Sequence, residues 1–433
     1  MIRNGRVKLW GTIVGYFSMD DRTGRVSFEY QEDFVKSGIQ LSPIMMPLSS
    51  QVYMFPELLR TSFKGVPGLI SDSLPDKFGN AVIDQWLDTQ GRTPQSFNVV
   101  ERLCYTGKRG MGALEYEPND YDQNNEDTPL DLGKMAEFAS AILQDKEKIV
   151  ITAEDDLEYK HLLQLGTSAG GARAKAVIAF NANSGVARSG QIALGDGFEH
   201  WLVKFDGVAK NGDHGVEDAP EYTLIEYAYY KMALEAGIHM NECKLLPENG
   251  RSHFMTKRFD RVDGDKVHMQ SLGALLHVDY NDPGLCSYER AAITGRSMGV
   301  AAGDIRQLYR RMVFNILAVN QDDHVKNISF LMDRRGRWSL SPAYDVTFAY
   351  QPGHRWLGAH QMTINGKSDD FLVDDLIQCG QAMDIKPFMC NKIISQVHEA
   401  VSQFEDIAND VGIRDKTISV IKKRINERLQ MFN

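Results

Sequence analysis

The spacing of apolar residues changes along this chain. Val7 to Phe17, Arg25 to Tyr30 and Gln51 to Met54 are short β-rich runs, and helical spacing follows near Pro75 to Asp88 and Ser96 to Tyr105. Glu117 to Pro129 is acidic and almost without apolar residues, which predicts an exposed linker. Beyond it, helices are expected over Asp131 to Gln144 and Asp156 to Leu165, then strands over Ala176 to Phe180, His200 to Phe205 and from Phe254 onward. From about Leu272 the helical pattern dominates, including Pro387 to Phe404, where the proline suits a first helical position, and Thr417 to Met431. At 433 residues the chain exceeds one ordinary core. The pattern predicts an α+β protein in three parts: residues 1–118, a small β-rich subdomain with helices; 119–268, a strand-rich lobe; and 269–433, an all-helical lobe.

One polar segment interrupts the last part. Ile305, Leu308, Met312, Ile316 and Val319 recur at helical spacing, then Asn320 to Ser329 reads Asn-Gln-Asp-Asp-His-Val-Lys-Asn-Ile-Ser before Ile328 to Leu331 re-enters the core as a strand. The step from Asp322 to Asn327 is the spacing of a phosphotransfer loop, in which an aspartate takes the acceptor's proton and an asparagine holds magnesium. After the turn Asp333 to Gly336, Asp345 in Ser-Pro-Ala-Tyr-Asp-Val is placed to be a second metal carboxylate. Aspartate and asparagine at this spacing also occur in solvated turns. A dense polar cluster between two buried elements argues for chemistry.

A kinase site also needs a strand lysine, a glutamate to hold it and a glycine-rich loop. Lys204 stands alone among apolar neighbours in His-Trp-Leu-Val-Lys-Phe, where burial demands an anionic partner, and Glu226 on the following helix is the candidate partner. A lysine snorkelling to water and a surface glutamate are the plain alternatives. Gly166 to Lys175 combines glycines that allow close backbone approach with the positive Arg173 and Lys175; it lacks a P-loop ending, and an ordinary glycine turn is the alternative. Phe254 to Arg261 reads as a strand leading to a hinge, with Phe259 either covering adenine or packing in a core.

Taken together, Gly-Thr-Ser-Ala-Gly-Gly-Ala-Arg-Ala-Lys, Trp-Leu-Val-Lys-Phe, Thr-Lys-Arg-Phe-Asp-Arg, Asp-Asp-His-Val-Lys-Asn-Ile-Ser and Ser-Pro-Ala-Tyr-Asp resemble the HipA family of bacterial toxin serine/threonine kinases. Val66 to Asp76 and Gly107 to Leu114 look like that family's N-subdomain signatures. The resemblance implies a bilobal protein-kinase-like fold with ATP in the cleft. It makes Asp322 catalytic and Asn327 and Asp345 the magnesium ligands. It gives ATP to the glycine-rich loop (Gly170, Gly171, Ala172, Arg173, Ala174, Lys175), to Lys204, to the hinge at Lys257, Arg258 and Phe259, and to His324, Lys326 and Tyr344. Ser168 falls where members autophosphorylate, with Thr167 beside it as the alternative hydroxyl. A phosphate there would place roughly −1.5 to −2 charges in a triphosphate pocket and shut the enzyme down. The chain departs from the pattern at Arg173-Ala174, where many members have Gln-Glu, at Asp323, where glycine is frequent, and at Lys257, where the hinge is often acidic. The implied partner is a small helix-turn-helix antitoxin of the HipB type, and the implied acceptor is a protein, plausibly a translation component.

Composition narrows the setting. A net charge of −10 argues against autonomous DNA binding, so operator contact is expected through the partner. The five cysteines, Cys104, Cys243, Cys286, Cys379 and Cys390, show no disulfide or zinc spacing and are expected to be reduced and buried. The apolar runs and the N-terminal segment predict a cytoplasmic protein without membrane spans. A small-molecule phosphotransferase of the aminoglycoside-kinase type shares the aspartate-to-asparagine step, and the extra N-terminal segment up to Pro118 weighs against it. A non-catalytic pseudokinase is disfavoured because base, lysine and both metal ligands are present.

Overall fold

The computed structural model describes residues 2–119, 129–143, 156–166, 173–190, 195, 197–208 and 221–432. The chain divides into two compact units, one of Met1–Ile39, Leu48–Thr223 and Glu242–His268, the other of Gln40–Pro47, Leu224–Asn241 and Met269–Asn433.

The first unit contains two five-stranded antiparallel sheets. One has the order β4-β3-β2-β1-β5, built from β1 (Asn4–Leu9), β2 (Thr12–Met19), β3 (Val26–Tyr30), β4 (Val52–Tyr53) and β5 (Leu114–Glu117). The run expected from Val7 to Phe17 is a hairpin. It turns at Trp10 and Gly11, both left-handed with φ 50° and 83°, a geometry that matches the twist of paired strands. The expected helices follow as Lys77–Thr89, capped by the Asp76 carboxylate accepting from the Gly79 N–H at 2.5 Å, and Val99–Thr106, which opens with an Asn98–Glu101 capping box.

The second sheet has the order β7-β6-β8-β10-β9, from β6 (Lys175–Asn181), β7 (Val186–Ser189), β8 (Phe198–Lys204), β9 (Cys243–Glu248) and β10 (Arg251–Lys257). Its inner face packs Ile178, Trp201 and Met255 against Phe78, Val82, Leu132 and Leu162 from the helices, forming a single core.

Beyond β10 the chain folds back on the Gly107-to-Leu114 segment through buried charge. The Asp260 carboxylate accepts from Arg258 Nε at 2.8 Å, from Arg261 Nη1 at 2.7 Å and from the Gly112 N–H at 2.7 Å. Both guanidinium groups donate onward to the Gly110 carbonyl. Burial pushes the Asp260 carboxyl up, but the two guanidinium charges outweigh it and hold the group well below the usual carboxylate range. A short ladder, β11 (Arg261–Val262) with β12 (Asp265–Lys266), follows.

The second unit is largely helical, with Leu272–Leu276, Tyr288–Ser297, Ala302–Leu317, Val373–Ala382, Pro387–Ser402, Phe404–Val411 and Asp415–Gln430. Pro387 takes the first-turn position expected of it. The lobe expected to be all-helical also holds a three-stranded sheet of β13 (His268–Ser271), β14 (Ser329–Met332) and β15 (Trp338–Leu340). β14 is the strand expected over Ile328 to Leu331, whereas β13 and β15, four and three residues long, are too short to stand out by alternation. All five cysteines are free and buried. Among the described residues no helix is long and apolar enough to cross a membrane.

Removing Asp260 strands two buried guanidinium charges. Asp260→Ala is therefore expected to lower stability at pH 7 by about 3–5 kcal/mol in urea unfolding. The folded pKa lies below the unfolded value, so the carboxylate's contribution is complete above about pH 4 and is lost as pH falls toward the folded value. The gap between wild type and variant should narrow below that pH.

Candidate functional site

The polar decapeptide of the second unit begins at a forced bend. Helix Ala302–Leu317 buries Ile305, Leu308, Met312, Phe314 and Ile316, and ends where Val319 takes a φ of 59°, a left-handed conformation that a β-branched residue rarely adopts. Bonds on both sides hold the bend. The Ala349 N–H donates to the Val319 carbonyl at 3.1 Å, and the Gln321 N–H donates to the Ala349 carbonyl at 2.9 Å.

Inside the loop, Asn327 closes a turn of its own. Its backbone N–H donates to the His324 carbonyl at 2.8 Å, and its Nδ2 donates to the Asp322 carbonyl at 2.9 Å. With the amide nitrogen committed, Asn327 Oδ1 is the atom left to meet a cation, and it has no partner among the described residues. His324 Nδ1 accepts from the Lys326 N–H at 3.3 Å, which leaves Nε2 to carry the proton, 3.8 Å from Asp322 Oδ1. Tyr280 supports both side chains: its ring lies 5.7 Å from the His324 imidazole and 4.6 Å from Lys326 Nζ.

Tyr344 Oη donates to the Lys326 carbonyl at 2.6 Å and lies 2.6 Å from Ser329 Oγ. Its hydroxyl is thus spent on holding the loop, and its ring alone remains for a nucleotide. Asp345 follows in a left-handed conformation, φ 52°. Asn327, Tyr344, Asp345 and Asp323 line one cavity of about 30 Å³, room for a water-sized occupant. Six expected site residues, Asp322, His324, Lys326, Asn327, Tyr344 and Asp345, thus sit on two short segments bonded to one another. Asn327 Oδ1 and the Asp345 carboxylate are hard oxygen donors of the type magnesium takes.

The remaining candidates lie in the first unit, apart from Glu226. Lys175 and Lys204 oppose each other in the β6–β8 ladder, and both are buried. Such a pair is costly without anions. Asp76 supplies one, with Oδ2 2.8 Å from Lys175 Nζ, so Lys175 is held to the cap of helix Lys77–Thr89. Lys204 Nζ lies 5.8 Å from the Phe254 ring centroid. The Arg173 guanidinium covers the Tyr222 ring at 4.9 Å, and Ala174 is buried with its carbonyl accepting from the Phe205 N–H at 3.1 Å.

At the expected hinge, Lys257 pairs with Glu199 and donates its N–H to the Glu242 carbonyl, and the Arg258 N–H donates to the His200 carbonyl. The Arg258 side chain is consumed by Asp260, and Phe259 is half-buried. Glu226 is buried and belongs to the second unit, whereas Lys204 belongs to the first. Thr167, Ser168, Gly170, Gly171 and Ala172 lie outside the described residues.

Sequence reasoning passed over the groups behind the loop. Asp323 is buried and accepts three hydrogen bonds, from Tyr288 Oη at 2.9 Å, His360 Nδ1 at 3.0 Å and the Gln361 N–H at 2.8 Å. Arg311 is buried on helix Ala302–Leu317 against the same cavity. Its Nη2 donates to the Ser341 carbonyl, while Nε and Nη1 have no hydrogen-bond partner among the described residues. Burial pushes its guanidinium down to about 10. Buried charge inside a helical apolar stripe was the only local signal of Arg311.

With the geometry in place, comparison with known proteins is decisive. Residues 167–404 match the model of the HipA-like C-terminal domain, and residues 5–117 match that of the HipA N-terminal domain. The chain belongs to the HipA family. It is thus a phosphotransferase of the serine/threonine kinase kind. A Sinorhizobium fredii protein named "Putative kinase Y4mE" is 26% identical to this HipA-family chain over 364 residues, covering 78% of this chain and 76% of that protein. A Haemophilus influenzae protein named "Putative kinase" is 23% identical over 267 residues, 53% of this chain and 77% of that protein. The fold is also that of the Shewanella oneidensis HipA, solved with HipB and its operator DNA. That likeness has a TM-score of 0.63 at 15% identity and covers 99% of this chain and 97% of that one.

The loop's attachment through Tyr344 is directly measurable. Tyr344→Phe removes the donor to the Lys326 carbonyl and the partner of the buried Ser329 hydroxyl. It should lower unfolding stability by about 1–3 kcal/mol in denaturant titration.

Proposed function

We propose that this chain is an ATP- and magnesium-dependent protein serine/threonine kinase and the toxin of a two-component module, held by a HipB-like helix-turn-helix antitoxin. The observation that carries the reading is the self-bonded loop, in which Asn327 Nδ2 is tied to the Asp322 carbonyl and Asn327 lines one cavity with Asp345. That arrangement brings an amide and a carboxylate residue to one cavity, next to a loop that carries a half-exposed aspartate.

In this reading Lys204 grips the triphosphate, the glycine-rich segment through Arg173 covers it, and the hinge from Lys257 to Phe259 meets the adenine. Asn327 and Asp345 are the residues that hold magnesium, which when bound neutralises charge on the transferring phosphoryl group. The Asp322 carboxylate orients the acceptor hydroxyl and takes its proton as the oxygen bonds to the γ-phosphorus and the bond to ADP breaks. Lys326 brings positive charge beside that carboxylate, and His324 presents its Nε2–H toward it. Tyr280 fixes both.

The self-limiting step belongs to the same proposal. Phosphate on Ser168 would put negative charge where a triphosphate is to bind. The acceptor is a protein hydroxyl, and the net charge of −10 leaves operator contact to the basic partner.

The test is incubation of the full chain with ATP and magnesium, followed by intact mass and peptide mapping. Wild type should gain one phosphate, mapped to Ser168. Asp322→Ala should lose about 10²–10⁴ in rate. Chelation of magnesium should abolish transfer in wild type. A variant that phosphorylates at the wild-type rate would remove Asp322 from the role of base.

A further inference from the structure

The buried carboxylate of Asp323 binds two other parts of the second unit at once through three hydrogen bonds. Tyr288 comes from the first turn of helix Tyr288–Ser297, and His360 and Gln361 come from the segment that follows Asp345. The network continues past Asp323. Tyr288 Oη accepts from Asn315 Nδ2 at 3.0 Å, and Asn315 Oδ1 accepts from Asn320 Nδ2 at 3.0 Å, which returns it to the start of the same loop. Asn315, Asn320 and Asp323 line the cavity that Asn327 and Asp345 also line.

A carboxylate with three donors and almost no solvent contact is either well satisfied or very costly, so each partner is held by the others. The neighbour of Asp323 is Asp322, whose side chain is 40% exposed. One residue of the pair faces inward and is fixed; the other faces outward with the backbone between them immobilised. The Gln361 bond uses a backbone N–H, so the 360–361 segment is clamped whatever side chain stands at 361. Gln361 Nε2 also donates to the Trp356 carbonyl, which extends the clamped stretch back to residue 356.

We propose that Asp323 is the positioning residue of this site: it locks the Asp322–Asn327 loop to the 356–361 segment, so that the two move or stay ordered together. Asp323 touches neither nucleotide nor acceptor and acts through the backbone it holds. The proposal rests in part on the kinase reading. Its structural half, the coupling of two segments, does not.

The test uses the full-length chain and two readouts. Hydrogen exchange is followed by mass spectrometry over peptides covering 320–328 and 356–362, and phosphotransfer is measured against ATP concentration. Asp323→Asn keeps the size of the side chain but turns an amide N–H toward a donor. Exchange should rise in both segments together, while kcat falls about 10²-fold and KM for ATP stays within about twofold, as expected for misplacement of a base rather than loss of a binding contact. Tyr288→Phe, which removes one of the three donors, should show the same pattern in smaller measure and serves if Asp323→Asn does not fold.

Asp322→Ala should lose about 10²–10⁴ in transfer rate without raising exchange at 356–362. Unchanged exchange at 356–362 in Asp323→Asn would overturn the proposal, as would a uniform rise across the unit, which marks general destabilisation. A joint rise in exchange with no transfer by any form, wild type included, would support the coupling and sink the kinase reading instead.

Discussion

A polar loop set between apolar elements must be anchored by its own buried groups, because burying a polar group without a partner is costly. This chain meets that constraint by burying one polar group of the loop for each one it exposes. Asp323 goes inward to Tyr288, His360 and the Gln361 N–H, so that Asp322 can face outward. Asn327 spends its amide nitrogen on the Asp322 carbonyl, so that its oxygen is oriented. Val319 is held at positive φ by the two bonds with Ala349. Each inward bond costs desolvation and ordering, and each is tolerated because donor and acceptor are matched.

The first unit obeys the same rule with stronger charges. Lys175 is buried with Asp76, and Arg258 and Arg261 are buried with Asp260, so each of these interior charges has an opposite charge in hydrogen-bond reach. These pairs are specific rather than stabilising in themselves, because breaking one is costly while forming it gains little over apolar packing. They join strand ends to the N-terminal segments: β6 to the cap of helix Lys77–Thr89, and the end of β10 to Gly110 and Gly112. The order of the signature strings along the sequence thus has a physical counterpart. The Gly107-to-Leu114 string is one half of a clamp whose other half is the Arg258-to-Arg261 string.

Much of this was legible beforehand. The helices with clear period, such as Val99–Thr106 with its capping box and Ala302–Leu317, lie close to where their patterns put them, and the decapeptide emerges from a buried helix as its neighbours require. Three things were not legible, for different reasons. The Trp10–Gly11 hairpin hid inside a continuous β-rich run because the turn needs only two residues. Of the small sheet of the helical lobe only the strand at Ile328 to Leu331 was expected, because β13 and β15 are too short for a period to show. Asp323 looked like a departure from a glycine, because its partners lie 35 to 38 residues away in both directions and no local pattern reports them. The ion pairs of Lys175 with Asp76 and of Arg258 with Asp260 were not legible either, because the sequence alone had no means to choose those partners.

The claim on which the account stands is that Asn327 and Asp345 together form a cation site beside Asp322. A crystal structure of the full-length chain with magnesium and a non-hydrolysable ATP analogue tests it most directly. The account predicts a metal bound at about 2.0–2.1 Å to Asn327 Oδ1 and the Asp345 carboxylate. A nucleotide bound with its metal on other residues would contradict it.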